Sequence, residues 1–214
     1  DAADTMRGAM SVVVLISGRG SNLDAIFSAG VPVAGVISNR AEAGGLRLAE
    51  QRGLPSGVVS HRDYPTREAF DGALAAAIDG FRPSLVALAG FMRILTPGFV
   101  ERFPGRLMKI HPSLLPPFPG LSTHARALSA GVKVHGCTVH FVTAELDHGP
   151  IIIQAAVPVR AGDTPDTLAS RVLREEHQVY PRAIRWFLEG RLVIEKGVVR
   201  VDGNDAQISY SDRA

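Results

Sequence analysis

The chain has 214 residues, 46% of them hydrophobic and 21% charged, with a formal net charge of +2. That is the profile of a globular protein with a full core, and the length suits one domain or two at most. Its lysines and arginines form no stripe for nucleic acid, no apolar run reaches the ~18 residues of a membrane span, and the single cysteine, Cys137, excludes an internal disulfide.

The first ten residues are small and polar, without the charged-then-apolar order of a signal peptide. They are expected to be an N-terminal tail, with Met6 or Met10 as the candidate native start, and a reducing cytoplasm fits the cysteine count. Residues 12–16 form a fully apolar run, and 31–38, 56–59 and 85–89 are similar. Residues 22–29, 46–52 and 66–78 read as helices between them. Continuous apolar strands imply burial on both faces, hence a parallel sheet flanked by helices, with ligands gathering beyond the carboxyl ends of the strands.

After Gly90 the pattern changes. Residues 107–111 read as another strand, and 134–142 and 151–159 as long strands able to pair antiparallel. A long helix follows: Thr164 caps it, Pro165 fills its first turn, and Gly190 stops it beyond Leu188. Residues 192–201 read as a closing hairpin and 202–214 as a loose tail. The expected fold is α/β, an open doubly wound, mostly parallel sheet. The antiparallel strand pair, the long helix and the hairpin lie in its C-terminal half, and 11–201 form one domain.

Several constellations carry candidate chemistry. Ser17-Gly18-Arg19-Gly20-Ser21-Asn22-Leu23 joins the first strand to the first helix, where glycines let the backbone approach a ligand and helix-start amides attract an anion. A dinucleotide fingerprint needs a third glycine where Leu23 stands, and the second strand ends Ser38-Asn39-Arg40 without an acidic residue. A single phosphate is therefore the better guess than NAD, the alternative being a bare turn with Ser21 or Asn22 as N-cap. In residues 106–111, alternation puts Leu107, Lys109 and His111 on one face, so lysine and histidine form a polar pair at a strand end. They run into the loop Pro112-Ser113-Leu114-Leu115-Pro116-Pro117-Phe118-Pro119, stiffened by proline; a lysine at the surface beside a merely structural histidine is the alternative.

The turn 144–150 contains Asp147, which matters if it faces His111, because a carboxylate raises an imidazole's pKa and fixes its tautomer. Glu176 falls in step with Leu168, Val172 and Ala183, so it faces a site, caps a buried partner, or lies at the stripe's edge. Gly90-Phe91-Met92-Arg93-Ile94-Leu95 is an apolar loop at the ligand-binding edge that could wall an aromatic ligand, or be an ordinary buried turn. His124, His135, His140 and His148 match no zinc spacing, so no metal is expected.

Together the segments ISGRGSNL (16–23), AGFMRILTPGFV (89–100), IHPSLLPPFPGL (110–121), HGCTVHFVTAELDHGPIIIQ (135–154) and EEHQVYP (175–181) resemble the phosphoribosylglycinamide formyltransferase family of purine biosynthesis. The resemblance runs from about residue 11 to 192. Related methionyl-tRNA formyltransferases and formyltetrahydrofolate hydrolases carry an extra domain, for which this length leaves no room. The resemblance implies transfer of a formyl group from 10-formyltetrahydrofolate, a co-substrate, to the amine of glycinamide ribonucleotide, without a metal, nucleic-acid or membrane partner, by a monomer or homodimer. It makes His111 the catalytic histidine and Asp147 its aspartate. Gly20, Ser21 and Asn22 match the phosphate loop, and Gly90, Pro112 and Glu176 match nucleotide contacts. Arg67, Met92, Arg93, Ile94 and Leu95 match folate contacts, with Thr143 and Asp147 bordering the pterin.

One residue departs from the family pattern, which has asparagine where this chain has Lys109. That position donates to the oxyanion and adjoins the folate. Lysine cannot accept a hydrogen bond, is longer, and when charged disfavours protonation of His111. The expectation is weakened chemistry with binding sites largely intact. The rival readings are a weakly active or inactive nucleotide- and folate-binding homologue, a formyltetrahydrofolate hydrolase and, more distantly, a nicotinamide-dependent dehydrogenase.

Overall fold

In the computed structural model, which describes residues 10–211, the contacts divide the chain after Met108 into two compact units. The expected tail at 1–10, except Met10, and residues 212–214 lie outside the described residues. The first unit is built on β1 (Val12–Ile16), whose five side chains are all buried. β1 pairs in parallel with β2 (Val33–Ser38) and with β4 (Leu85–Leu88), and β2 pairs in parallel with β3 (Ser56–Val58), giving the order β4-β1-β2-β3. Parallel neighbours need crossovers, and α1 (Ser21–Ser28), α2 (Gly44–Gln51) and α3 (Arg67–Asp79) supply them. β3 departs from the expected buried run: it is three residues long, with Ser56 and Val58 exposed, because an outer strand with one neighbour is covered on one edge only.

The chain enters the second unit within β5 (Leu107–His111). There the order is β10-β7-β6-β5, and β6 (Val134–Phe141) pairs antiparallel with β7 (Ile151–Pro158), as the two long apolar runs imply. Among the described residues, the four strands of the first unit are thus all parallel, and the sheet of the second unit is mixed. The long helix α6 (Pro165–Leu188) packs on β6 and β7, burying Leu168, Val172, Val179 and Tyr180. The hairpin of β8 (Leu192–Glu195) and β9 (Val198–Val201) follows. Several short elements went unforeseen. α4 (Pro97–Arg102) and α5 (Thr123–Ser129) are too short to show a helical period, and Ile208–Tyr210, in the segment expected as a loose tail, forms β10 in parallel with β7.

The start of α6 is fixed twice. Thr164 accepts from Thr167 N–H at 3.2 Å in a capping box. Arg171 donates through both terminal nitrogens to Asp163, at 2.7 and 2.9 Å, and to the Pro158 carbonyl at 2.9 Å, tying the helix to the end of β7. The Arg171 bond holds the Asp163 carboxyl well below its ordinary range, against the opposing effect of burial. Replacing Arg171 by methionine strips a buried carboxylate of its partner and should lower stability by about 2–3 kcal/mol at pH 7, read by urea unfolding. Because the folded Asp163 pKa is depressed, this contribution is present above the unfolded carboxyl's ordinary value of ~3.9 and declines as pH falls below it, so the gap between the two proteins should narrow in acid.

Candidate active site

In the second unit β5 delivers Lys109 and His111 to one face, as alternation requires, and Asp147 meets both. Lys109 Nζ donates to Asp147 Oδ1 at 2.8 Å, and His111 Nδ1 lies 3.4 Å from Oδ2 of the same carboxylate. Gly120 N–H donates to Oδ2 at 2.8 Å. Asp147 sits in the left-handed region at φ 54°, a conformation aspartate tolerates better than most residues. Its turn is held by Gly149, where an added Cβ would stand 1.6 Å from the Phe141 carbonyl oxygen.

The proline-rich loop curls back on its own strand. His111 Nε2 is 2.9 Å from the Phe118 carbonyl, and Ser113 Oγ donates to the Pro117 and Phe118 carbonyls at 2.7 and 3.0 Å. Thr138 on β6 anchors the loop by accepting from Leu115 N–H and donating to the Ser113 carbonyl. A carbonyl only accepts, so Nε2 carries a hydrogen in both charge states of His111. The titrating nitrogen is therefore Nδ1, the one facing Asp147, an assignment made from the hydrogen-bond partners.

Burial lowers the His111 pKa below its ordinary value; the Phe118 bond and the Asp147 charge raise it, the charges of Lys109 and Arg126 lower it, and the net shift is down. For Asp147, burial pushes up, but the Lys109 hydrogen bond, the Gly120 amide and the charges of Lys109 and His111 outweigh it and hold the carboxyl below its ordinary value. The centre at rest is thus a carboxylate clamped by an ammonium beside a histidine biased toward neutrality. Such a set can hold, give or take a proton at Nδ1 and can offer N–H donors to a developing negative charge.

Pro112, next to His111, accepts from Thr123 Oγ1 at 2.6 Å, Glu176 is buried on α6, and Thr143 is exposed at the rim of the Asp147 turn. The four histidines do not converge. His124 and His135 bond at 3.1 Å, His140 is buried against the Phe141 carbonyl, and exposed His148 lies 3.9 Å from Glu145. Burial pushes His135 and His140 down to about 4. Among the described residues no group of three or more His, Cys, Asp or Glu side chains is placed to hold a metal ion.

In the first unit the remaining candidates follow β1 and β4, apart from Arg67, which opens α3. Gly20, not Ser21 or Asn22, is the N-cap of α1: it adopts φ 82°, and no side chain caps the helix. Only glycine fits there, because a Cβ would lie 2.8 Å from the Gly45 Cα. Ser21 is exposed and Asn22 buried. Gly90 turns the chain at φ 69°, and Met92 and Ile94, both 59% exposed, project from the loop while Leu95 is buried. Arg67 donates to the Ile94 carbonyl at 2.8 Å, and the Arg93 guanidinium lies over the Phe70 ring. Asp71 accepts from both Thr96 N–H and Thr96 Oγ1 at 2.7 Å. Sequence reasoning missed Asp71, Gly120 and Phe118; an acidic residue on the apolar stripe of α3 was a usable signal for the first, whereas the other two act through backbone atoms.

Residues 10–184 match the model of the formyl transferase family. The chain is 50% identical over 200 residues to the phosphoribosylglycinamide formyltransferase of Escherichia coli strain K12, covering 91% of this chain and 94% of that protein. It is 46% identical to the human trifunctional purine biosynthetic protein adenosine-3, where 84% of this chain spans 18% of the longer protein. The crystal structure of glycinamide ribonucleotide transformylase 1 from Symbiobacterium toebii superposes with a TM-score of 0.88 at 51% identity, over 91% of this chain and 94% of that one.

Two substitutions test the electrostatics. Lys109→Asn removes a cation and frees Asp147, so the His111 pKa should rise. Asp147→Asn removes the anion and leaves the lysine uncompensated, so it should fall. Histidine NMR titration reads both, and a common direction for the two would contradict the arrangement.

Proposed function

This chain belongs to the formyl transferase family, and we infer that it transfers the formyl group of 10-formyltetrahydrofolate to the amine of glycinamide ribonucleotide in purine biosynthesis. The observation that carries this reading is the likeness to the E. coli phosphoribosylglycinamide formyltransferase over nearly the full length of both chains. Residues 11–201 act in this reading as one formyltransferase domain, in the cytoplasm, as a monomer or homodimer. The partners are two small molecules, with no metal, nucleic acid or membrane.

The substrate amine attacks the formyl carbon, a C–N bond forms, and the carbonyl electrons move onto oxygen. The amine nitrogen sheds a proton, which Asp147 helps relay through water. The intermediate then collapses: the carbonyl re-forms, the bond to the folate N10 breaks, and N10 takes up the proton relayed from the amine. Protonated His111 stabilises the oxyanion, and Asp147 stabilises the imidazolium. Gly20, Ser21 and Asn22 hold the phosphate, with Gly90, Pro112 and Glu176 completing the nucleotide contacts. Arg67, the loop Met92-Arg93-Ile94-Leu95, Thr143 and Asp147 receive the folate; the exposed apolar side chains of Met92 and Ile94 suit a pterin or benzoyl ring.

Lys109 enters at the asparagine position. An ammonium has three N–H donors, so one can hold Asp147 at 2.8 Å while others serve the oxyanion. Its charge works against the imidazolium that the reaction uses. The Lys109–Asp147 contact therefore also favours a second reading, a chain that keeps both binding sites but transfers slowly.

Steady-state formyl transfer separates the two. His111→Asn should lower kcat by about 10²-fold or more, the usual loss of one oxyanion donor. Lys109→Asn should raise kcat/KM near neutral pH, because removing the cation lets His111 hold its proton more readily. The sign follows from the charge: the active imidazolium is lost as pH rises through the His111 pKa, so the alkaline fall of the profile should move to higher pH in Lys109→Asn. A slower Lys109→Asn would make lysine the better donor, and no transfer by either protein would end the formyltransferase reading.

A further inference from the structure

The first unit contains a hydroxyl that ties its two candidate loops together. Ser17 follows β1 and begins the segment that continues through Gly20, Ser21 and Asn22. Its Oγ accepts from Met92 N–H at 2.8 Å and donates to Asn39 Oδ1 at 2.6 Å. The directions are forced. A backbone N–H only donates, so Met92 takes a lone pair of Ser17, and the one hydroxyl hydrogen goes to Asn39. Ser17 is 4% exposed and Asn39 is 2% exposed, so neither group can exchange its partner for water without opening the loops.

The network continues beyond these three. Asn39, just after β2, approaches His61, just after β3, with Nδ2 3.3 Å from His61 Nδ1 and its carbonyl at the same distance from that nitrogen. Segments following β1, β2, β3 and β4 therefore meet in one hydrogen-bonded chain. Slack is small on either side of Ser17. Toward Gly20, the Gly45 N–H donates to the Gly18 carbonyl at 3.0 Å, and Gly20 is in backbone contact with Gly45. Toward Ile94, Arg67 grips the Ile94 carbonyl and Asp71 holds Thr96. Residues 20–22 and the Met92 amide are thereby linked through Ser17 with little slack between them.

We propose that Ser17 is a positioning residue that couples nucleotide binding at residues 20–22 to folate binding at residues 92–95, so that either ligand tightens the site for the other. The proposal rests on the binding roles assigned above. Coupling between sites is reciprocal, so it can be read from either ligand.

The test is calorimetric titration of the full chain with glycinamide ribonucleotide, alone and with saturating tetrahydrofolate, which has no formyl group to transfer. The ratio of the two Kd values is the coupling. In the unaltered chain the ratio should exceed about 5, the low end of typical couplings. Ser17→Ala should bring it close to 1, while each single-ligand Kd shifts by no more than about tenfold, the scale of one neutral hydrogen bond. Ser17→Thr keeps the hydroxyl and should keep the ratio. Asn39→Ala removes the acceptor that orients the hydroxyl and should give an intermediate ratio. A residue that merely supported the fold would weaken both ligands and leave the ratio alone.

A ratio of 1 in the unaltered chain, or an unchanged ratio in Ser17→Ala, overturns the proposal. If thermal melting shows Ser17→Ala unfolded, an unchanged ratio in Asn39→Ala overturns it equally. Two ligands that bind without coupling defeat this proposal and spare the functional reading; ligands that do not bind at all defeat both.

Discussion

The Asp147 carboxylate serves three partners at once: the Lys109 ammonium and the Gly120 amide at 2.8 Å each, and His111 Nδ1 at 3.4 Å. Each contact fixes something that sequence proximity alone leaves free. The lysine contact ties the end of β5 to the turn between β6 and β7. The amide contact closes the far end of the proline-rich loop. The histidine contact decides which ring nitrogen titrates. With the Phe118 carbonyl on Nε2, the imidazole is held from both sides and has one chemical degree of freedom left, the proton on Nδ1. A single buried anion thus organises three separate stretches of the second unit, and a cation standing against it sets how much of its field reaches the imidazole.

The first unit solves a different problem by different means. Its candidate loops are positioned by glycine contacts and by side chains bonded to main-chain groups. Gly20 against Gly45 brings two backbones closer than any side chain allows. Ser17, Arg67 and Asp71 each grip a main-chain atom of the segment between Gly90 and Pro97. The exposed Met92 and Ile94 are therefore carried on a fixed support, which in the proposed function cuts the ordering cost of covering them with a ring.

Much of this was legible in the sequence because it rests on periodicity. The apolar runs gave the parallel strands, Thr164 with Pro165 gave the start of the long helix, and alternation put Lys109 beside His111. The pairing of Asp147 with that histidine needed charge logic and resemblance, since 36 residues separate them and no local pattern joins them. Illegible were contacts made through main-chain atoms. Nothing in the identities of Gly120 or Phe118 says that an amide or a carbonyl will be aimed at a side chain. Ser17 read as part of a turn, and its hydroxyl acquires a role only when β2 and β4 bring Asn39 and Met92 beside it. The alternative of Ser21 or Asn22 as the cap of α1 fails for a related reason: both have capping side chains, but the left-handed backbone at Gly20 starts the helix before them. The short helices α4 and α5 carry too few residues to show a period.

β10 has a bearing on how the chain is made. Ile208–Tyr210 lies beyond the hairpin and pairs with β7, more than fifty residues earlier. During synthesis β7 can dock on β6 long before its other neighbour leaves the ribosome, so for that interval it presents an unpaired edge rich in Ile, Ala and Val. β10 is a late cover: it joins in parallel at residues 154–156 and shields that stretch of the β7 edge, on which another nascent copy can otherwise add a strand.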